Sequence, residues 1–72
     1  MVMSDIATIR FSDAESGEDA VAIVRVGGKK QIALCLSLEE NGDVEVFLRV
    51  EDCENLVKAL EQAISVTEDQ GA

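Results

Sequence analysis

Hydrophobic and polar side chains alternate along two neighbouring stretches in the middle of the chain, within residues 31–50. The first stretch has an apolar residue at every second position from Ile32 to Leu38, and the second has the same pattern from Val44 to Val50. A period of two is typical of a β-strand with one buried face. Because Glu40-Asn41-Gly42 lies between the stretches, they are predicted to form a β-hairpin.

The length of the hairpin loop follows from keeping both apolar sets on one face of the sheet. A slip of one residue moves every side chain of a strand to the opposite face. A two-residue loop would pair Leu38 with Glu45 and place charges among the leucines. A three-residue loop, residues 40–42, pairs Leu38 with Val44 and gives Gly42 the position that requires a positive φ. We therefore predict the three-residue loop with a glycine bulge.

Two further strands are predicted before the hairpin. Residues 6–12 alternate, and residues 20–26 are apolar on both faces, as in a central strand. The acidic segment 12–19 separates them as a solvated loop. Residues 27–30, Gly-Gly-Lys-Lys, predict a turn in which the glycines supply positive φ. A loop of two or four residues would set Val21 and Ile23 beside Ile32, whereas three residues would set Val24 there; the first arrangement is preferred.

Residues 51–66 change to the spacing of an amphipathic helix. One stripe along this helix collects the apolar positions, which are Cys53, Leu56, Val57, Leu60, Ala63, Ile64 and Thr67. Glu51, Asp52 and Glu54 occupy the first turn, where the helix dipole favours acidic groups, and Asp52 is alternatively the cap. Residues 1–72 are expected to be a single domain, with loose termini at 1–5 and 67–72.

These elements predict an α+β fold, a four-stranded antiparallel meander with one C-terminal helix packed on one face (ββββα). The helix should cover the face of Ile32 and Val44, because its stripe must be buried somewhere. The opposite face would then stay open, and it is predicted to bind protein, above all a second copy of the chain. The candidate interface residues are Ala22, Val24, Ala33, Cys35, Ser37 and Phe47. The alternative is a monomer with a tolerable apolar surface.

The charge balance changes the range of partners. The 72 residues include fifteen acidic and six basic ones, for a net charge of −9. Such a chain repels nucleic acid and anionic membranes. A candidate anionic patch comprises Glu39, Glu40, Asp43, Glu51, Asp52 and Glu54. An ordered patch of this kind favours a second hypothesis, an inhibitor from a phage or mobile element that imitates nucleic acid and blocks a basic nuclease or DNA-binding protein. The simpler interpretation is that the charge keeps the domain soluble.

Candidate chemistry is sparse. The chain has no histidine, and Cys35 and Cys53 lie eighteen residues apart without a partner motif, so no catalytic pair and no structural zinc site is predicted. The acidic segment 13–19 lacks the spacing of a calcium loop. We expect no cofactor, no metal and no enzymatic activity. Neither a signal peptide nor a membrane span is recognisable, which predicts a cytoplasmic protein with free thiols.

The segments Leu34-Cys35-Leu36-Ser37-Leu38, 41–48 and 56–60 resemble short uncharacterised bacterial and phage proteins in which a β-sheet is followed by a C-terminal helix. The resemblance covers about half of the chain and consists of structural positions. It implies the fold and no activity, and no functional residue is carried over from it.

Overall fold

The computed structural model of the chain describes residues 4–70 and confirms the α+β meander. Four strands, β1 (Ser4–Ser12), β2 (Asp19–Val26), β3 (Ile32–Leu38) and β4 (Gly42–Leu48), precede one helix, α1 (Val50–Gln70). The strands form one antiparallel sheet in the order β1-β2-β3-β4. β1 and β4 are therefore the edges of the sheet, and both carry unpaired backbone groups along one side.

Secondary structure reaches further toward both ends than the sequence predicts. β1 begins at Ser4 and α1 continues to Gln70, so residues 4–5 lie in a strand and residues 67–70 lie in the helix. Residues 1–3 and 71–72, also predicted to be loose, lie outside the described residues. A bulge after Asp5 leaves Ile6 without a partner in β2. On the other side of the bulge, the pairing continues to Ser4, which lies opposite Val26.

The β3–β4 hairpin keeps the predicted faces but not the predicted partners. Leu38 pairs with Gly42 rather than with Val44, so the loop is residues 39–41 and the register is shifted by two. A shift of two preserves which side each residue faces. Glu39 N–H donates at 3.0 Å to the carbonyl of Asp19, the first residue of β2, which extends the β2–β3 pairing into the loop. That contact with another strand cannot be predicted from the hairpin sequence alone.

Gly42 adopts a φ of 82°, which confirms the positive φ predicted for it. A Cβ at this position would meet nothing within 4 Å. Substitution is therefore disfavoured by the backbone conformation alone, and Gly42→Ala is expected to lower the free energy of unfolding by about 1 kcal/mol. Gly42→Asn should lose less, because asparagine tolerates this region better. Chemical denaturation of both variants tests this, and equal losses would contradict a purely conformational cause.

The β2–β3 connection reverses the preferred assignment. Val24 pairs with Leu34, so Val24 lies on the same face of the sheet as Ile32, and Ile23 lies on the opposite face. The positive φ values predicted for the glycines of this turn occur instead at Lys29 and Lys30, at 62° and 58°, as in a type I′ turn. Gly27 N–H donates to the Gln31 carbonyl, and Gln31 N–H donates to the Gly28 carbonyl. Gly27 and Gly28 thus both lie opposite Gln31 and form a bulge. The extra residue reverses which side chains of β2 share a face with Ile32.

The register divides the sheet into two unlike faces. Face A is defined by fourteen apolar residues and carries no charge; they are Ala7, Ile9, Phe11, Ala20, Ala22, Val24, Val26, Ile32, Leu34, Leu36, Leu38, Val44, Val46 and Leu48. Face B is defined by the alternate positions and carries Asp5, Arg10, Asp19, Arg25, Asp43 and Glu45 among apolar and small residues. A clean division of this kind is typical of an antiparallel sheet with one buried face.

The helix does not cover face A, contrary to the prediction. α1 meets the sheet mainly at β4, and none of its residues is buried. Arg49 alone links β4 to α1, and its N–H donates to Asp52 Oδ2 at 3.1 Å while its carbonyl accepts from Cys53 N–H. These bonds begin the helix immediately after the strand. The chain is consequently long and thin, with extents of 47 × 30 × 16 Å.

Candidate interaction surfaces

Face A is an uncovered apolar surface. Val44 is 55% exposed and Val46 43%, and Ile9, Phe11 and Leu36 are similarly open. Among the described residues, only two apolar side chains, Ala20 at 7% and Ala33 at 1% exposure, are buried. A sheet face with fourteen apolar residues and no charge has the composition of a protein core. Within residues 4–70, no other element of the chain covers face A.

The helix carries a second uncovered apolar surface, the α1 stripe predicted from the sequence. Leu60 is 56% exposed and Ile64 58%, and Leu56 and Val57 are also open. Cys53, at the start of the stripe, is half-buried against the β4 junction. The polar side of the helix holds its charged groups. An amphipathic helix of this kind gains most of its stability from packing its apolar side, which is unpacked here.

Face B is occupied by charged and polar groups. Arg25 Nε lies 2.9 Å from Asp5 Oδ1, an ion-pair distance, although the angle is not that of a hydrogen bond. Ser37 Oγ–H donates to the carboxylate of its cross-strand partner Asp43. Phe47, 57% exposed, is the one large apolar side chain in the described part of this face that stands open to solvent. Face B therefore has the character of a solvated surface.

The six predicted interface residues do not share one face. Ala22 and Val24 lie on face A, paired with Leu36 and Leu34. The other four, Ala33, Cys35, Ser37 and Phe47, lie on face B. The prediction that they form one surface is wrong. The bulge at Gly27 and Gly28 places Ala22 and Val24 on the face opposite to that of Ala33 and Cys35. The open apolar surface is face A, the face that the helix was expected to cover.

The accessible area of the chain is large for its mass. It is 5864 Å², whereas a folded monomer of 7.7 kDa exposes about 4,300 Å². The radius of gyration is 14.2 Å, against about 11 Å for a compact domain of this length. The chain therefore exposes about 1,500 Å² more than a compact monomer of its mass would.

Seven of the fifteen acidic residues lie at one end of the sheet, where the β1–β2 and β3–β4 turns meet. Glu18 joins the two turns, because its carboxylate accepts from Glu40 N–H at 3.1 Å and from the Asn41 side-chain amide. Glu18 was not predicted as part of the anionic patch. This acidic end is defined by seven residues, Asp13, Glu15, Glu18, Asp19, Glu39, Glu40 and Asp43.

The remaining predicted anionic residues lie elsewhere. Glu51, Asp52 and Glu54 are in the first turns of α1, beyond the far end of β4. Strand β4 separates them from the hairpin tip by about 20 Å. The six residues of the predicted patch thus form two groups and not one surface. The second group shares its end of the sheet with the cations Lys29, Lys30 and Arg49, which the β2–β3 turn and the end of β4 place there.

The acidic end is internally ordered at Asp13. Its Oδ2 accepts from the backbone N–H groups of Ser16 at 2.7 Å and Glu15 at 3.2 Å. Hydrogen bonds from Ser16 and then Glu15 favour the ionised carboxylate and lower the pKa of Asp13 below its usual value. The ionised Asp13 carboxylate therefore stabilises the folded turn. This stabilisation is fully present above the ordinary pKa of Asp and is lost as the pH falls through the lowered pKa of Asp13.

Side chains that could bind a metal ion are not clustered in the described residues. Across residues 4–70 no three His, Cys, Asp or Glu side chains come together as a metal site would require. Cys35 on face B and Cys53 in α1 are free thiols. No helix within the same range has the length and apolar content that crossing a membrane demands.

Comparison of the chain with protein-family models, with curated proteins and with solved structures found no match.

Proposed function

We propose that the protein is a non-catalytic protein-interaction module that works as a homodimer, with face A buried between the two copies. The observation that carries the proposal is the excess exposed area. Two chains that each bury about 1,500 Å² lose about 3,000 Å² together, which lies in the range of obligate dimers. A second copy is the partner of choice, because it is present wherever the chain is and a two-fold arrangement uses one surface twice.

Charge supports an antiparallel arrangement of the two copies. Each sheet has an acidic end, defined above, and an opposite end where Lys29, Lys30 and Arg49 lie among Glu51, Asp52 and Glu54. When two sheets are related by a two-fold axis that runs their strands in opposite directions, the acidic end of one lies near this mixed end of the other. The two acidic ends are then kept apart, whereas a parallel arrangement would bring them together. Repulsion between the acidic ends thus favours this arrangement over random stacking of apolar surfaces.

The first expected result is a melting temperature that depends on protein concentration. A dimer whose monomers are unstable loses stability on dilution by mass action. For a 144-residue unit, a hundredfold dilution should lower the melting temperature by about 9 °C. Differential scanning fluorimetry with an extrinsic dye, or circular dichroism in cells of different path length, measures this. A melting temperature that stays constant over that range would contradict the dimer.

The acidic end supports a second candidate function, capture of a basic nuclease or DNA-binding protein from the host of a phage or mobile element. The specific observation is that Glu18 holds the two turns together, so that seven carboxyl groups are presented from a fixed framework. Fixed anionic groups compete with nucleic acid for a basic groove, and such binding is weakened by salt.

Charge reversal distinguishes this candidate from simple solubility. The pair Glu39→Lys and Glu40→Lys should reduce capture of a basic protein from native host extract at least tenfold, and double-stranded DNA should displace that protein. The pair Glu51→Lys and Glu54→Lys, which changes charge equally at the other end, is the matched control. Capture that survives both 1 M salt and reversal at the hairpin tip would contradict mimicry.

A further inference from the structure

Each chain holds two uncovered apolar surfaces, face A and the α1 stripe. We propose that α1 of one copy lies across face A of a second copy, and reciprocally, so that each half of the dimer has a core built from both chains. This inference rests on the homodimer proposed above and deepens it, since it names the segment that covers the sheet.

The connection before α1 keeps the helix off its own sheet. One residue, Arg49, separates β4 from α1. A single residue spans at most about 3.6 Å, which is less than the roughly 10 Å that separates packed layers. Connections between a strand and a helix that packs back on the sheet ordinarily have two to six residues. The capping bonds between Arg49, Asp52 and Cys53 fix the helix start, so α1 leaves the sheet edge and projects outward.

The dimensions of the two surfaces match. α1 has 21 residues and is therefore about 31 Å long. β1 has nine residues and the other strands seven or eight, so face A is about 24–30 Å long. One helix is thus as long as the sheet face it would cover. Its stripe covers about four turns, from Cys53 to Thr67, without a charged residue among its members.

Face A also has the relief that a helix requires. Along β2 the side chains are small, with Ala20 and Ala22 standing between Phe11 and Ile9 on β1 and the leucines of β3. A depression of about 360 Å³ lies at the acidic end of this row, lined by Phe11, Ala20, Leu36 and Val44 together with polar residues that include Asp13, Asn41 and Asp43. Small residues between rows of large ones let a ridge of Leu and Ile side chains approach the sheet closely.

Cross-linking between differently marked chains tests the exchange. In a background in which Cys35 and Cys53 are replaced by serine, one chain carries Ala22→Cys on face A, and an isotopically heavy chain carries Ala63→Cys on the α1 stripe. After the two are unfolded, mixed, refolded and mildly oxidised, the expected product is a disulfide between a light and a heavy chain. It should exceed by at least tenfold the yield from a control pair with Thr8→Cys, on face B, in place of Ala22→Cys.

Each other outcome overturns a stated part of the proposal. A two-chain particle in which only pairs of Ala22→Cys chains cross-link means that the sheets face each other, so the exchange is wrong and the homodimer stands. A disulfide within one chain that carries both substitutions, formed at high dilution, means that the helix folds back on its own sheet. A one-chain particle overturns the homodimer and the exchange together.

A measurement on the unmodified protein guards against a background that does not fold. In a mixed sample of ¹³C-labelled and unlabelled chains, isotope-filtered nuclear Overhauser spectra report only contacts between copies. We expect signals between the Ile64 methyl groups of one copy and the Leu36 or Val24 methyl groups of the other. Filtered spectra in which α1 shows no contact with face A of another copy overturn the exchange.

Discussion

Val46→Asp is expected to dissociate the dimer and to leave the chain largely unfolded at micromolar concentration. Val46 lies on face A of β4, 43% exposed in the single chain. In the dimer the aspartate would be buried among apolar side chains without a partner, and an unpaired buried charge costs several kcal/mol. Because the substitution occurs in both copies, the dissociation constant should rise at least a hundredfold, which is about 2.7 kcal/mol.

The matched control for this variant is Phe47→Asp. Phe47 follows Val46 directly but lies on face B, and it is the larger and the more exposed of the two. If face A is the buried face, Phe47→Asp remains a dimer and loses about 1 kcal/mol at most. Sedimentation and chemical denaturation compare the two. Dissociation by Phe47→Asp with Val46→Asp unaffected would mean that the chains associate through face B.

Leu60→Asp is expected to have the second largest effect, although Leu60 is 56% exposed and lies on a helix that barely contacts the sheet. In a monomer of this shape, such a surface substitution would change stability by no more than about 0.5 kcal/mol. If the α1 stripe is buried on another copy, the same substitution should lower the melting temperature by about 10 °C or more. Helix content should fall as well, because a helix in a protein gains most of its stability from packing its apolar face.

Gln62→Asp serves as the control for Leu60→Asp. It introduces the same side chain two residues away, about 200° around the helix from Leu60. Circular dichroism at 222 nm and the melting temperature should stay close to those of the unmodified protein. If both variants are equally harmless, α1 packs against nothing; if both are equally damaging, the loss comes from helix propensity and not from a buried stripe.

The sequence predicts the sheet well because parity is a local property. The alternation from Ile32 to Leu38 and from Val44 to Leu48 was sufficient to assign both strands of the central hairpin to one face. The positive φ of Gly42 followed from the same argument. The error of two in register left the faces unchanged, because a shift by an even number of residues keeps every side chain on its side of the sheet.

The orientation of β2 could not be predicted with the same rules. Its residues are apolar on both sides, so the pattern does not say which set faces Ile32. The answer depends on the bulge at Gly27 and Gly28, and on two lysines in a conformation that glycine ordinarily supplies. That one extra residue divided the six predicted interface residues between two faces.

The meeting of the β1–β2 and β3–β4 turns at one end of the sheet is predictable from the order of the strands. In an antiparallel meander, alternate turns lie at the same end of the sheet. The acidic segments 13–19 and 39–43 therefore had to meet, and Glu18 could have been placed beside Glu40. The position of the helix is not predictable from its stripe alone. An apolar stripe indicates that the helix packs against something, but not that it packs on the sheet of its own chain. The single residue Arg49 between β4 and α1 is too short a connection for that packing.

The central claim is that one chain is half of a folded unit. Light scattering coupled to size-exclusion chromatography, with a chain mass of 7.7 kDa, tests it most directly. We expect a particle with the mass of two chains at micromolar concentration. A folded, cooperatively melting particle with the mass of one chain would contradict it.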